Sequence, residues 1–214
     1  MFRQYRRPEV GENIIVYGDT AVGGADYCAA QFFSRTRLDF FMVYHARVVG
    51  TEMTNSIFPV IEKLFDLTKI KPLVAYERNN GGAFEMDRIA TLNRAGKYEL
   101  FKMPTAGRIE TPEATKYGVD VNSAVRPAML GNFKEAVDKR LVGIYDKPTI
   151  NELFSFIVSQ TSSSWKAQAE SGAHDDLVMS AAGAWFVYEN SKLKSLPIWT
   201  RPPVYQPNDS VIGI

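Results

Sequence analysis

The sequence predicts an α/β fold, a mixed sheet flanked by helices. Three observations predict it. First, three β-prone runs, 13–19, 26–35 and 39–49, follow one another closely. Strands this near in sequence pair antiparallel, because a parallel pair needs a long crossover. Second, past residue 50 the apolar residues take up helical spacing, then alternate between helical segments and short apolar runs. Third, acidic residues stand where these elements begin or end: Asp19, Glu77 and the pair Asp175-Asp176.

The elements follow in order. Residues 1–12 are polar and basic and read as a linker or N-terminal segment. The first strand, 13–19, is β-branched and ends at Asp19; a Gly-containing loop, Thr20 to Ala25, follows. Strands 26–35 and 39–49 are joined by a tight turn at Thr36-Arg37-Leu38, which completes an antiparallel meander. Met53, Ile57, Val60, Ile61, Leu64 and Phe65 give 52–68 a helical face. Pro59 within it predicts a kink or a late start. A strand at 73–77 ends on Glu77, a helix spans 81–95, and a fifth strand lies at 98–103. Residues 104–121 read as a long loop, and 123–140 as a helix carrying Val125, Met129, Phe133 and Val137. Thr149 and Glu152 match a capping box. The β-prone pieces 155–160 and 165–169 flank Thr161-Ser162-Ser163-Ser164 and predict a hairpin. A last helix runs from near Asp175 to near Glu189, and four prolines make 191–214 an extended tail.

Bulk composition narrows the function classes. The chain has 214 residues, 45% hydrophobic and 23% charged, which suits one large domain with a sizeable core. Net charge is +1, so any nucleic-acid surface must be a local patch. Cys28 is the single cysteine, which excludes an internal disulfide and a cysteine-based zinc site, and fits a reducing compartment. No apolar run approaches the ~20 residues of a membrane span. The basic start MFRQYRRPEV lacks the apolar core of a secretory signal. There is no G-x-x-x-x-G-K-[ST] phosphate loop and no Gly-x-Ser-x-Gly around Ser162–Ser164.

The acidic positions carry the chemistry. Each has an ordinary structural reading: Asp forms turns, and Asp at a helix start caps it. Together they read differently, because strand ends at a switch point are where α/β sheets bind ligands. Carboxylates gathered there repel one another without a cation, and hard ions such as Mg²⁺ or Mn²⁺ prefer oxygen ligands. Two such ions, about 3.5–4 Å apart, can cut a phosphodiester. His174 and His45 read as a surface and a structural residue. Arg78, Arg108, Lys116 and Lys166, on loops or the hairpin near the acids, are the candidate DNA-phosphate contacts.

The order strand-Asp, two antiparallel strands, helix, strand-Glu, helix, strand, helix-Asp resembles the ribonuclease H-like fold. The local motifs are more specific. Asp19-Thr20-Ala21-Val22-Gly23-Gly24-Ala25-Asp26-Tyr27 resembles the first nuclease motif of phage terminase large subunits. Glu77-Arg78-Asn79-Asn80-Gly81 resembles their second, and Gly172-Ala173-His174-Asp175-Asp176-Leu177-Val178-Met179 their third. Tyr117-Gly118-Val119 through Arg126, and Asn151-Glu152-Leu153, resemble the central region. The resemblance covers about 13–190 as a nuclease domain, with 1–12 as linker and 191–214 as tail.

It implies a metal-dependent endonuclease that cuts concatemeric double-stranded viral DNA during genome packaging in the host-cell cytoplasm. Its partners would be the terminase ATPase domain, the small terminase subunit and the portal, with no membrane. The motor's sequence is not among these 214 residues, so an excised or naturally split domain is expected. Asp19 would bridge two ions, Mg²⁺ or Mn²⁺; Glu77 would hold one, and Asp176, with Asp175 nearby, the other. Two other readings stay open: a Holliday-junction-resolvase-like nuclease with the same acidic set, and a catalytically silent module that docks on DNA or portal. Metal-dependent nicking separates the nucleases from the docking module.

Overall fold

The computed structural model describes residues 1–23, 26–103, 116–158 and 175–191, with 155–158 as backbone only. The strands are β1 (Phe2–Gln4), β2 (Ile14–Asp19), β3 (Cys28–Ser34), β4 (Asp39–Ala46), β5 (Leu73–Tyr76), β6 (Glu99–Leu100) and β7 (Gly143–Ile144). The helices are α1 (Gly50–Thr68), α2 (Gly82–Leu92), α3 (Val125–Asp138), α4 (Lys147–Val158) and α5 (Asp176–Asn190). One mixed sheet has the order β1-β4-β3-β2-β5-β6, with β7 also paired to β4. Strands β2, β3 and β4 form the expected antiparallel meander. Strand β5 lies parallel to β2, and β6 parallel to β5.

Helices cover both faces, which explains why the central strands are apolar throughout rather than alternating. In β2, Ile14 and Val16 face Met53, Ile57 and Ile61 of α1 and Met86 and Ile89 of α2. The intervening Ile15 and Tyr17 face Met129 and Phe133 of α3 and Val178, Ala182 and Trp185 of α5. Side chains alternate across a strand, so one strand feeds two cores. Full burial of each large apolar side chain contributes about 1.5–3 kcal/mol.

Several elements depart from the sequence expectation. Residues 2–4 are an edge strand rather than a linker, antiparallel to β4 with Phe2 opposite Tyr44. Phe2 packs on Tyr44 and Phe32. Arg3 and Arg6, part of the basic run that suggested a linker, are instead paired with acids. Arg3 meets the buried Asp146 at 2.6 Å, and Arg6 meets Asp39 at 2.6 Å and Glu12 at 2.9 Å.

Helix α1 begins at Gly50 and passes through Pro59 to Thr68, so the proline does not delay its start. Its face of Met53, Ile57, Ile61 and Leu64 is buried, and that packing outweighs the one missing N–H.

The predicted capping box is also rearranged. Asp146, not Thr149, caps α4: its Oδ2 accepts the Thr149 N–H at 3.0 Å and the Thr149 hydroxyl at 2.7 Å. The helix then continues to Val158. Residues 155–158 are therefore helical, where a hairpin strand was expected; the remainder of that hairpin, 159–169, lies outside the described residues. A well-capped helix with its own apolar face overrides the local β-propensity there.

Helix α5 is buried along nearly its whole length. It approaches β2 closely enough that a Cβ on Gly183 would stand 2.2 Å from the Tyr17 ring. Among the described residues, no helix is long and apolar enough to cross a membrane. The Gly183→Ala variant should lose about 1–3 kcal/mol or more of stability by overpacking. Urea denaturation measures the loss.

Candidate metal and nucleic-acid site

The parallel pairing of β2 and β5 builds the first half of the site. Gly18 stands opposite Tyr76, so the next residues, Asp19 and Glu77, leave the same sheet edge side by side. The Glu77 N–H donates to Gly18 O at 2.9 Å, which extends the ladder to the acidic position itself. Beyond Glu77 the chain turns sharply into α2. A Cβ on Gly82 would lie 1.7 Å from the Glu77 carbonyl oxygen, so this close approach requires glycine. Asn79 serves the same turn. Its amide donates to Glu77 Oε1 at 2.8 Å and to Val121 O at 2.8 Å, fixing the carboxylate. Thr20 closes the gap between the two loops by donating to Asn80 O at 3.2 Å.

Asp175 and Asp176 come from the start of α5. Asp175 sits at the cap position, yet its side chain caps nothing. The free N–H groups of the helix are satisfied from another element. Glu152 on α4 accepts the N–H of Leu177 at 3.0 Å and of Val178 at 3.1 Å, both on Oε2. A carboxylate from elsewhere thus does the work that the sequence assigns to the aspartate pair. Buried Gln31 of β3 adds a second tie, donating to Thr149 Oγ1 at 3.2 Å and to Leu177 O at 3.3 Å.

Asp19, Glu77, Asp175 and Asp176 line one open polar cleft of about 280 Å³, together with Thr20, Ala21, Val22, Asp26, Asn80, Arg126 and Met179. All four predicted acids are brought together. Two of the other lining residues, Asp26 and Arg126, are charged residues to which the sequence reading gave no role at the cleft. Asp26 was part of the first motif; its distance from Asp19 in sequence was the only signal. Arg126 arrives on the first turn of α3, which Asn122 starts by accepting the Ala124 and Val125 N–H groups at 2.9 Å each. It meets Asp175 Oδ2 at 2.5 Å.

The DNA candidates divide differently. Arg78 is engaged by Asp120 at 2.9 Å and by Tyr117 O at 2.7 Å. Lys116 is exposed. Arg108 and Lys166 lie outside the described residues, as does His174. His45 is stacked on Tyr27 with 4.6 Å between ring centroids, in keeping with its structural reading. The Cys28 thiol is buried and donates to Val48 O at 3.1 Å.

The electrostatics follow from this crowding. Burial pushes the Asp19 carboxyl well above its usual range, and Glu77, Asp176 and Asp175 add to the shift while Arg126 opposes it. Glu77 is also raised by burial, against the pull of its Asn79 hydrogen bond and of Arg126. Burial lifts Glu152 to about 8, with Asp176 contributing and the Val178 N–H opposing. Among the described residues, no three Asp, Glu, His or Cys side chains are arranged to hold an ion as they stand. The acids share a cleft, but Asp175 is turned to Arg126 and Glu77 to Asn79.

No protein-family model matches the chain, and no curated protein matches it in sequence. Solved structures match it in fold. The chain shares its ribonuclease H-like architecture with nuclease domains of terminase large subunits. Against the large terminase nuclease domain of Thermus phage P74-26 the identity is 17%, over 91% of this chain and 87% of that one, with a TM-score of 0.56. The magnesium-bound large terminase nuclease of thermophilic phage G20c gives 18%, 86%, 84% and 0.56. The human cytomegalovirus terminase nuclease domain gives 16%, 83%, 83% and 0.58. The G20c protein has also been solved with zinc and with cobalt.

A pH prediction follows from the raised carboxyls. A group whose folded pKa exceeds its unfolded value binds more protons when folded, so stability falls as pH rises between the two values. For Glu152 that window runs from 4.5 to about 8. In EDTA the melting temperature should therefore drop from about pH 5 to pH 8. Asp19→Asn should flatten the slope, and Glu152→Gln should flatten it while keeping an oxygen acceptor for α5. Melting curves across that range measure both.

Proposed function

We propose that this chain is a metal-dependent DNA endonuclease of the terminase type, cutting concatemeric double-stranded viral DNA during genome packaging. The observation that carries the proposal is that Asp19, Glu77, Asp175 and Asp176, from three separate elements, line one polar cleft. Its donors are all carboxylate oxygens, which fits Mg²⁺ or Mn²⁺. The raised carboxyls fit as well: burial raises them first, their mutual repulsion adds to it, and a bound cation would offset both. The terminase nucleases that share the fold, some solved with bound metal, support the same reading.

In this reading Asp19, Glu77 and Asp176, with Asp175, would hold two ions between them. Bound ions would activate a water and stabilise the leaving oxygen of the phosphodiester. The protein's own groups prepare the site. Asn79 fixes the Glu77 carboxylate before any ion arrives. Glu152 and Gln31 hold the start of α5, and with it the Asp pair. Lys116 stands as a phosphate contact, with Arg108 and Lys166 assigned the same role from sequence. Arg78 serves the architecture of the Tyr117–Asp120 segment first. The nuclease unit, expected at 13–190, also takes in β1, which pairs with β4 in the same sheet. Its ATPase, small-subunit and portal partners, and its place in the host cytoplasm, belong to this proposal.

Supercoiled plasmid should be nicked with Mn²⁺ or Mg²⁺ and stay intact in EDTA. Asp19→Asn should abolish cutting while its metal-free melting stays cooperative; wild-type-like cutting by that variant rules the assignment out. Mn²⁺ at 100 times its dissociation constant should stabilise the wild type by about 2.7 kcal/mol. DNA affinity, measured in Ca²⁺, should fall steeply with salt, as phosphate contacts require.

A further inference from the structure

Arg126 is a cation already inside the acidic cleft. Its side chain is 36% exposed and that of Asp175 31%, so the pair sits at the mouth rather than in the core. One of its N–H groups is used, by Asp175 Oδ2. Among the described residues, its remaining side-chain N–H donors have no protein acceptor, and Arg126 lines the open cleft. Arg126 also eases the charge on Asp19 and Glu77, so its field reaches the acids on both strand ends. Its placement is built: Asn122 sets the helix start, and Pro127 follows in the first turn, where a missing N–H costs nothing.

Two charges compete for one carboxylate here. Only Asp175 Oδ2 is taken by Arg126, but a divalent ion held by the same carboxylate would repel the guanidinium beside it. An arriving ion frees the guanidinium, which stays tethered at the mouth of the cleft. A planar guanidinium with several open donors matches the paired oxygens of a phosphate. We propose that Arg126 is a tethered counter-ion that Asp175 exchanges for a metal ion, and that the released guanidinium then contacts the scissile phosphate. The second step rests on the nuclease reading; the first does not.

The test uses the whole chain as wild type, Arg126→Gln, Arg126→Ala and Arg126→Lys. Mn²⁺ binding is measured by calorimetry without DNA, melting is measured in EDTA and at saturating Mn²⁺, and plasmid cleavage is measured at saturating Mn²⁺. Arg126→Gln and Arg126→Ala should melt lower in EDTA, recover at saturating Mn²⁺, and bind Mn²⁺ at least about three-fold tighter, because a competing charge is gone. Their cleavage should fall about ten-fold or more, the loss of one charged hydrogen bond to the phosphate. Arg126→Lys should bind Mn²⁺ like wild type and cleave at an intermediate rate, since it keeps the charge and loses the fork.

Unchanged or weaker Mn²⁺ binding by Arg126→Gln overturns the counter-ion role. Full cleavage by that variant overturns the phosphate contact. Melting that stays low even with Mn²⁺ marks Arg126 as structural and overturns both. If the wild type itself does not cut DNA, the nuclease reading fails and takes the phosphate contact with it, while Mn²⁺ affinity still decides the counter-ion.

Discussion

The contact between Tyr17 and Gly183 is the constraint on which the rest of the site depends. Tyr17 lies two residues before Asp19 on β2, and Gly183 lies about two turns after Asp176 on α5. Their approach sets how close the helix can come to the strand, and therefore how close the two acids can come to each other. A larger residue at 183 would push the helix off the sheet along its buried length. Close packing transmits such a displacement rather than absorbing it. The geometry of a polar cleft is thus decided by an apolar contact inside the core.

Carboxylates resist being gathered, so each needs something that holds it against the others. For Asp19 and Glu77 it is the sheet: two parallel strands in fixed register end together, and their backbone hydrogen bonds run to the acidic position. For the Asp pair it is Glu152, which takes the helix N–H groups and leaves the aspartates to face the cleft. Glu152 is itself held by α4, whose start depends on Asp146. Burial pushes the Asp146 carboxyl up, but Arg3, Tyr5 and Thr149 outweigh it and bring it down to about 2. A chain of polar contacts therefore links the N-terminal strand to the acidic cleft. Such networks rigidify when every member is satisfied.

The cleft is pre-assembled but not closed around an ion. Arg126 and Asn79 occupy two of the carboxylates that a metal would use. These contacts offset part of the repulsion among the acids in the absence of metal. In the proposed reading such a site would fold before an ion arrives, unlike small metal domains whose folding requires the ion.

The sequence by itself determined the meander, the alternation of helix and strand, and the acids at the element ends. These are local properties: periodicity, β-branching and the absence of a long crossover state them within a few residues of each position. Asp19, Glu77, Asp175 and Asp176 could be singled out because each stands at such a boundary. Only the tertiary structure decided the rest. It made a strand of Phe2–Gln4, in a basic stretch that reads as linker until Arg3 and Arg6 find Asp146 and Asp39. It gave the cap of α4 to Asp146, carried that helix through 155–158, and turned Glu152 towards α5. It brought Arg126 into the cleft from 49 residues before Asp175. The reason is physical: capping groups and ion-pair partners are chosen by distance in space, and a sequence records only distance along the chain.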